Sequence, residues 1–99
     1  MVQINWTKQS VEDLKDILDY ISKESVKYAR FQVIKIRHRL KILYTYSYAG
    51  KIVSELKNEN IRELIEGNYR IIYRIVSENR IDILTVHHSS RDLSKRNIK

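Results

Sequence analysis

The stretch NYRIIYRIV, Asn68 to Val76, holds two arginines whose spacing gives them a common direction. Successive side chains on a strand point to opposite faces, so Tyr69, Ile71, Tyr73 and Ile75 share one face and Arg70, Ile72, Arg74 and Val76 the other. The first set is the natural core. Two guanidinium groups are then left on the open side of a sheet, where each can meet an anion. A second group of reactive types lies where the last strand stops, at Val86, His87, His88, Ser89, Ser90 and Arg91. With Arg70 it places cationic and titratable groups at one sheet edge. A histidine titrates at about 6.5 and can therefore act as a general acid near neutrality. Adjacent histidines on a strand diverge, which assigns one of them a structural place and leaves the other for proton transfer. The same divergence, with no Asp or Glu ligand pattern beside it, argues against a metal site.

The elements that must position these groups follow from periodicity. Val2, Ile4 and Trp6 alternate with Gln3 and Asn5, which predicts a short first strand. In SVEDLKDILDYISK the stripe Val11, Leu14, Ile17, Leu18 and Ile21 predicts a helix from about Lys8 to Ser22, with Ser10 as N-cap and Asp13 in an acidic first turn. A second helix carries Val26, Ala29, Val33, Ile36, Leu40 and Leu43 in steps of three and four, with Phe31, Ile34 and Ile42 widening its apolar face. That seam spans about three heptads, too short for a free coiled coil, and predicts a helical hairpin packed on a sheet. Lys35, Arg37, His38, Arg39 and Lys41 fall between seam positions and read as a solvated face.

TYSYAGK, Thr45 to Lys51, ends the second helix, and Tyr44, Tyr46 and Tyr48 are expected to wrap that end against the core rather than to stack on bases. Three strands follow: Asn60 to Glu66, a Gly67-Asn68 turn, the opening stretch, a Ser77-Glu78-Asn79 turn, and Arg80 to His88. The expected fold is α+β, ordered β-α-α-β-β-β, with a two-helix hairpin packed on one face of an antiparallel sheet. The other face stays available to solvent or a ligand.

The chain has 99 residues, 42% hydrophobic and 31% charged, with no proline, no repeat and no linker composition, so residues 1–99 are read as one domain. The absence of cysteine excludes disulfides, thiolate metal sites and cysteine nucleophiles. No apolar run approaches the roughly 18 residues of a membrane span, and the first residues lack a signal-peptide pattern. A soluble, cytoplasmic protein without cofactor or membrane contact is the expectation. A net charge of +7 points to an acidic partner, and residues 89 to 99 alone supply +3 of it through Arg91, Lys95, Arg96 and Lys99 against Asp92.

The chain also resembles the RelE/ParE superfamily of toxins from bacterial type II toxin-antitoxin modules. The resemblance is carried by the first strand ending in Trp6-Thr7, VEDLKDILDYI, the long second helix, Gly50-Lys51, IRELIEGNYRIIYRI and IDILTVHHSSRDL. It implies one of two activities: poisoning of DNA gyrase, as in the ParE branch, or ribosome-dependent cleavage of mRNA through the RNA 2′-hydroxyl, as in the RelE branch. For cleavage, the resemblance places Arg70 at the scissile phosphate, Glu55 as base, His88 as acid and Arg91 as a second phosphate contact. Departures from the nuclease pattern favour the ParE branch. The paired lysines before the Tyr-Arg motif are replaced by Arg62 flanked by Glu63, whose carboxylate repels phosphate, and the tail SSRDLSKRNIK has no aromatic residue. The chain is therefore read as a ParE-like toxin acting on gyrase, with the mRNA endonuclease as the alternative. A cognate antitoxin is the implied partner, bound through Arg70, Arg74, Arg91, Lys95 and Arg96.

Overall fold

A computed structural model describes residues 2–89. The elements in order are β1 (Gln3–Trp6), α1 (Lys8–Ser22), α2 (Val26–Arg39), a 3-10 turn (Leu40–Tyr44), β2 (Lys51–Ile52), β3 (Ile61–Glu66), β4 (Tyr69–Ser77) and β5 (Arg80–His88). The α+β fold and the placing of the hairpin on the sheet agree with the periodicities. The sheet has five strands in the order β1-β5-β4-β3-β2. It is mixed rather than antiparallel, because β1 pairs with β5 in parallel while the other neighbours are antiparallel. Alternation specifies which side chains are buried, not which way a neighbouring strand runs.

Helix α1 spans Lys8–Ser22 as its periodicity predicts, but its N-cap is Thr7, not Ser10. The Thr7 hydroxyl oxygen accepts from the Ser10 backbone N–H at 3.2 Å, and the hydroxyl reaches the Ile83 carbonyl at 2.7 Å, so one side chain caps the helix and ties it to β5. Ser10 is buried inside the helix, where its hydroxyl donates to the Thr7 carbonyl at 2.8 Å. Asp13 does not face solvent either. It is buried against β5, and its carboxylate accepts from the Thr85 hydroxyl, from the Val86 backbone N–H at 3.1 Å and from the Gln9 amide at 2.8 Å. A buried carboxylate requires such donors, because desolvation without them is costly.

The core between hairpin and sheet contains Ile36, Leu40 and Leu43 from the second helical arm with Leu64, Ile71, Tyr73, Ile75, Ile81, Ile83 and Val86 from the strands. The face of β4 assigned to the core is therefore the one buried there. The second helix departs from its expected seam at both ends: Val26 is exposed, and the last turn tightens to 3-10 after Arg39. Phe31, Ile34 and Ile42 are exposed rather than packed, as are Tyr44, Tyr46 and Tyr48, so the tyrosines do not wrap the helix end into the core. That place is taken by Tyr73 and Gly50. The Gly50 N–H donates to the Tyr73 hydroxyl at 2.9 Å, and Tyr73 donates to the Ser47 carbonyl at 2.9 Å. A Cβ on Gly50 would lie 2.5 Å from the Glu63 carbonyl and 2.7 Å from the Tyr73 hydroxyl, so the approach requires glycine.

The other face of the sheet is only partly open. Val53 and Leu56, from the segment after β2, close over Ile61, Ile72 and Leu84 and form a second small core. This segment passes through Lys57 in the left-handed region, with φ of 50°. Among the described residues no helix is long and apolar enough to cross a membrane.

Candidate functional site

The site assembles on the outer face of β3 and β4, beneath the 53–57 segment. Register pairs Ile65 with Arg70 and Glu63 with Ile72, which sets Glu63 diagonally beside Arg70 on the same face. Glu63 reaches that position because β3 alternates Ile61, Glu63, Ile65 outward against Leu64 inward. Burial of Val53 and Leu56 carries Glu55 between them to the guanidinium. Arg70 then binds Glu55 in a two-pronged pair, Nη1 to Oε2 at 2.7 Å and Nη2 to Oε1 at 2.9 Å. Its Nε and Nη2 also donate to Glu63 Oε2, at 3.0 and 2.5 Å.

This cluster has one cation and two carboxylates, and it is largely removed from water. The Arg70, Glu55 and Glu63 side chains retain 11%, 22% and 6% of their exposure. The hydrogen bond from Arg70 holds the Glu55 carboxyl down at about 2, against an ordinary 4.5. Arg70 is raised above its usual range by the bond to Glu55, with Glu63 adding to the effect. A carboxylate so depressed is a weak proton acceptor, and the guanidinium edges that would receive a phosphate are occupied by the protein's own oxygens.

Of the residues that the resemblance assigns to cleavage, the fold therefore brings Glu55 and Arg70 together and binds them to each other. His88 is placed elsewhere. Its cross-strand partner is Tyr69, with ring centroids 5.7 Å apart in an edge-to-face contact, on the hairpin side of the sheet. The histidine that shares the Arg70 face is His87, paired with Arg70 in register and buried. A β-bulge between Ile72 and Tyr73 in the pairing sets this phase. Arg74 lies on the same face, half-buried, opposite Ile61 and Asp82. Arg91, Lys95, Arg96 and Lys99 lie outside the described residues. Among the described residues no group of three or more His, Asp or Glu side chains is arranged to hold a metal ion.

Sequence reasoning missed Glu63 as a ligand of Arg70. The signal was present: a carboxylate at an apolar position of an alternating strand, one turn of sequence before an arginine on the same face, marks a buried pair. Arg62 is a further structural cation, donating to the Gly50 and Glu59 carbonyls at 2.9 and 3.0 Å and lying 4.9 Å from the Tyr48 ring centroid.

The family model described as ParE toxin of type II toxin-antitoxin system, parDE, matches residues 4–93. The chain belongs to this toxin family. It is thereby a toxin of the RelE/ParE superfamily, and its fold is shared by several solved structures. A chain from the chromosomal ParDE toxin-antitoxin system of P. aeruginosa superposes with a TM-score of 0.71 at 22% identity, covering 89% of this chain and 96% of that one. The YoeB/ParE toxin from Agrobacterium tumefaciens gives 0.59 at 17% identity, covering 88% and 98%. The YoeB dimer from Staphylococcus aureus gives 0.58 at 22% identity, covering 88% and 95%. A search of curated protein sequences found no significant match.

Proposed function

We propose that this ParE-family toxin arrests growth by binding and poisoning DNA gyrase, without nuclease chemistry, and that a cognate antitoxin neutralises it. The observation that carries this reading is the closed Arg70–Glu55–Glu63 cluster. RNA cleavage needs a base, an acid and an unengaged cation around one phosphate. Here Glu55 is held as a weakly basic carboxylate, Arg70 is engaged on both edges, and His88 lies on the opposite face of the sheet. An intact protein surface, rather than a catalytic constellation, is what such an arrangement offers a target. Membership of a family of type II toxins supports the antitoxin as partner, and the +7 charge suits an acidic one.

The test is expression of the chain alone in a bacterial host. Growth should stop, co-expression of the antitoxin should restore it, and arrested cells should accumulate double-strand DNA breaks with gyrase attached. Purified protein should leave ribosome-bound mRNA intact. Codon-positioned cleavage in a purified translation system, lost in Arg70→Ala or His88→Ala protein that still folds, would establish the endonuclease instead.

A further inference from the structure

The positive charge of this chain is concentrated where the cluster above does not use it. Between Ser25 and Ser54 there are seven Lys and Arg residues (Lys27, Arg30, Lys35, Arg37, Arg39, Lys41, Lys51) and no Asp or Glu. The remaining twelve Lys and Arg balance the twelve Asp and Glu of the chain. The whole +7 therefore equals the charge of α2, its 3-10 extension and β2.

On α2 these cations form rows. Lys27, Arg30, Ile34, Arg37 and Lys41 follow one another in steps of three and four, and all five are exposed. Phe31, Lys35, His38 and Ile42 form a parallel exposed row, with the Lys35 ammonium 4.7 Å from the Phe31 ring centroid. Like charges at these spacings repel, at about 0.2–0.5 kcal/mol per pair. The helix dipole accounts for Arg37, His38 and Arg39 in the last turn, but it disfavours Lys27 beside the N-terminus. None of the ion pairs among the described residues involves α2. The row is unfavourable for the isolated chain, and an external polyanion would compensate it.

We propose that the exposed face of α2 and its 3-10 extension binds the sugar-phosphate backbone of duplex DNA. At 1.5 Å rise per residue, the Lys27–Arg30 pair and the Arg37–Lys41 pair lie about 15 Å apart along the axis. That separation matches the two backbones flanking a major groove about 12 Å wide, with Ile34 between the cationic pairs facing the base edges. An acidic amphipathic peptide fits less well. The groove at the C-terminal end of the row, where Ile34, Arg37, His38 and Lys41 face Ile4, Trp6, Leu40 and Tyr44, would seat such a peptide along that end alone, whereas the cations continue back to Arg30 and Lys27. The surface is on the helical hairpin, remote in the topology from the 53–57 segment, so the inference stands whichever enzyme the toxin targets.

The experiment measures fluorescence anisotropy of a labelled 30-base-pair duplex with the purified full-length protein across a salt series. Four phosphate contacts predict a slope of log affinity on log salt of about −3.6, falling to about −0.9 in the Arg30→Gln/Arg37→Gln/Lys41→Gln variant. The charge-matched Lys8→Gln/Lys15→Gln/Lys23→Gln variant on α1 and its C-cap should keep the wild-type slope. Equal loss in both triple variants would reduce the effect to net charge and overturn the proposal. So would displacement of the duplex by a Glu-rich peptide at equal charge concentration, which would make the face a protein dock. If the α2 triple variant fails to fold, Lys27→Gln and Lys41→Gln singly should each lower the slope by about 0.9, and an unchanged slope in both would overturn the proposal.

Discussion

Arg70 and Arg74 stand four residues apart on one strand and face the same way, yet they occupy opposite environments. Arg70 is buried and held by two carboxylates; Arg74 is half-buried and takes part in none of the ion pairs among the described residues. The strand is common to both, so the difference comes from what lies above it. Over Arg70 the chain returns after β2 and delivers Glu55, while Glu63 arrives from the neighbouring strand. Arg74 has Ile61 opposite it on β3 and Asp82 on β5, and Asp82 is engaged instead by Arg80 at 2.9 Å. One arginine is part of the fold, and the other carries its charge outside any ion pair among the described residues.

The largest effect expected from this contrast is on stability. Arg70→Ala would leave Glu63, at 6% exposure, without its cation, and removal of one partner from a buried ion pair costs about 3–5 kcal/mol. Arg74→Ala should cost less than about 1 kcal/mol, the range for a side chain outside any buried network. Urea denaturation of both variants measures the difference, and equal midpoints would break the comparison.

The two carboxylates should also separate. Glu63→Gln removes a charge-assisted bond in the buried half of the cluster and should cost about 1.5–3 kcal/mol. Glu55→Gln should cost on the order of 1 kcal/mol, because Glu55 retains 22% of its side-chain exposure and water screens the pair. The reverse ranking in thermal unfolding would show that the 53–57 segment, not β3, holds the arginine.

The pH dependence follows from Glu55. Its folded pKa of about 2 lies below the unfolded 4.5, so its contribution is fully present above pH 4.5 and is lost as pH falls toward 2. The stability difference between wild type and Glu55→Gln should therefore be constant from neutrality to about pH 4.5 and shrink below it. A difference unchanged down to pH 2 would mean that the carboxylate is not the proton-linked group.

These contrasts also show what the sequence makes legible. The three long strands and the buried face of β4 follow from periodicity, and so does the extent of helix α1, although its stripe is half-buried at Leu14, Ile17, Leu18 and Ile21 and exposed at Val11. The two-residue β2 has no period to detect. The parallel pairing of β1 with β5 depends on where a distant strand ends. Asp13 is harder: it lies one turn from the buried Ser10 and the half-buried Ile17, but a carboxylate on that stripe reads as a solvated first turn until Thr85 and Val86 appear opposite it. The candidate site was legible as residues and not as an arrangement. Glu55 and Arg70 were identified, but their neutralisation by each other depends on a loop whose path only the packing of Val53 and Leu56 defines. His88 and His87 exchange faces through a bulge that no local pattern announces.

The smallest expected effect on folding belongs to Arg74, and its consequence is expected in binding. It lies between Ile72, fully buried, and Val76, exposed, at the border of the small outer core. An acidic side chain from an antitoxin that reached Arg74 there would be partly shielded from water, unlike one meeting a fully exposed cation. Such shielded pairs govern dissociation, whereas exposed charges act mainly on association through long-range attraction. Arg74→Ala should thus speed antitoxin dissociation by about tenfold, a loss of about 1.4 kcal/mol, with its salt dependence of association nearly intact. Replacing Lys95, Arg96 and Lys99 by Gln should do the converse, flattening the salt dependence of the association rate with little change in the dissociation rate. Stopped-flow traces across a salt series separate the two. An Arg74→Ala dissociation rate equal to wild type would make Arg74 a solvated side chain, and the division of roles between the two arginines of β4 would fail at its exposed end.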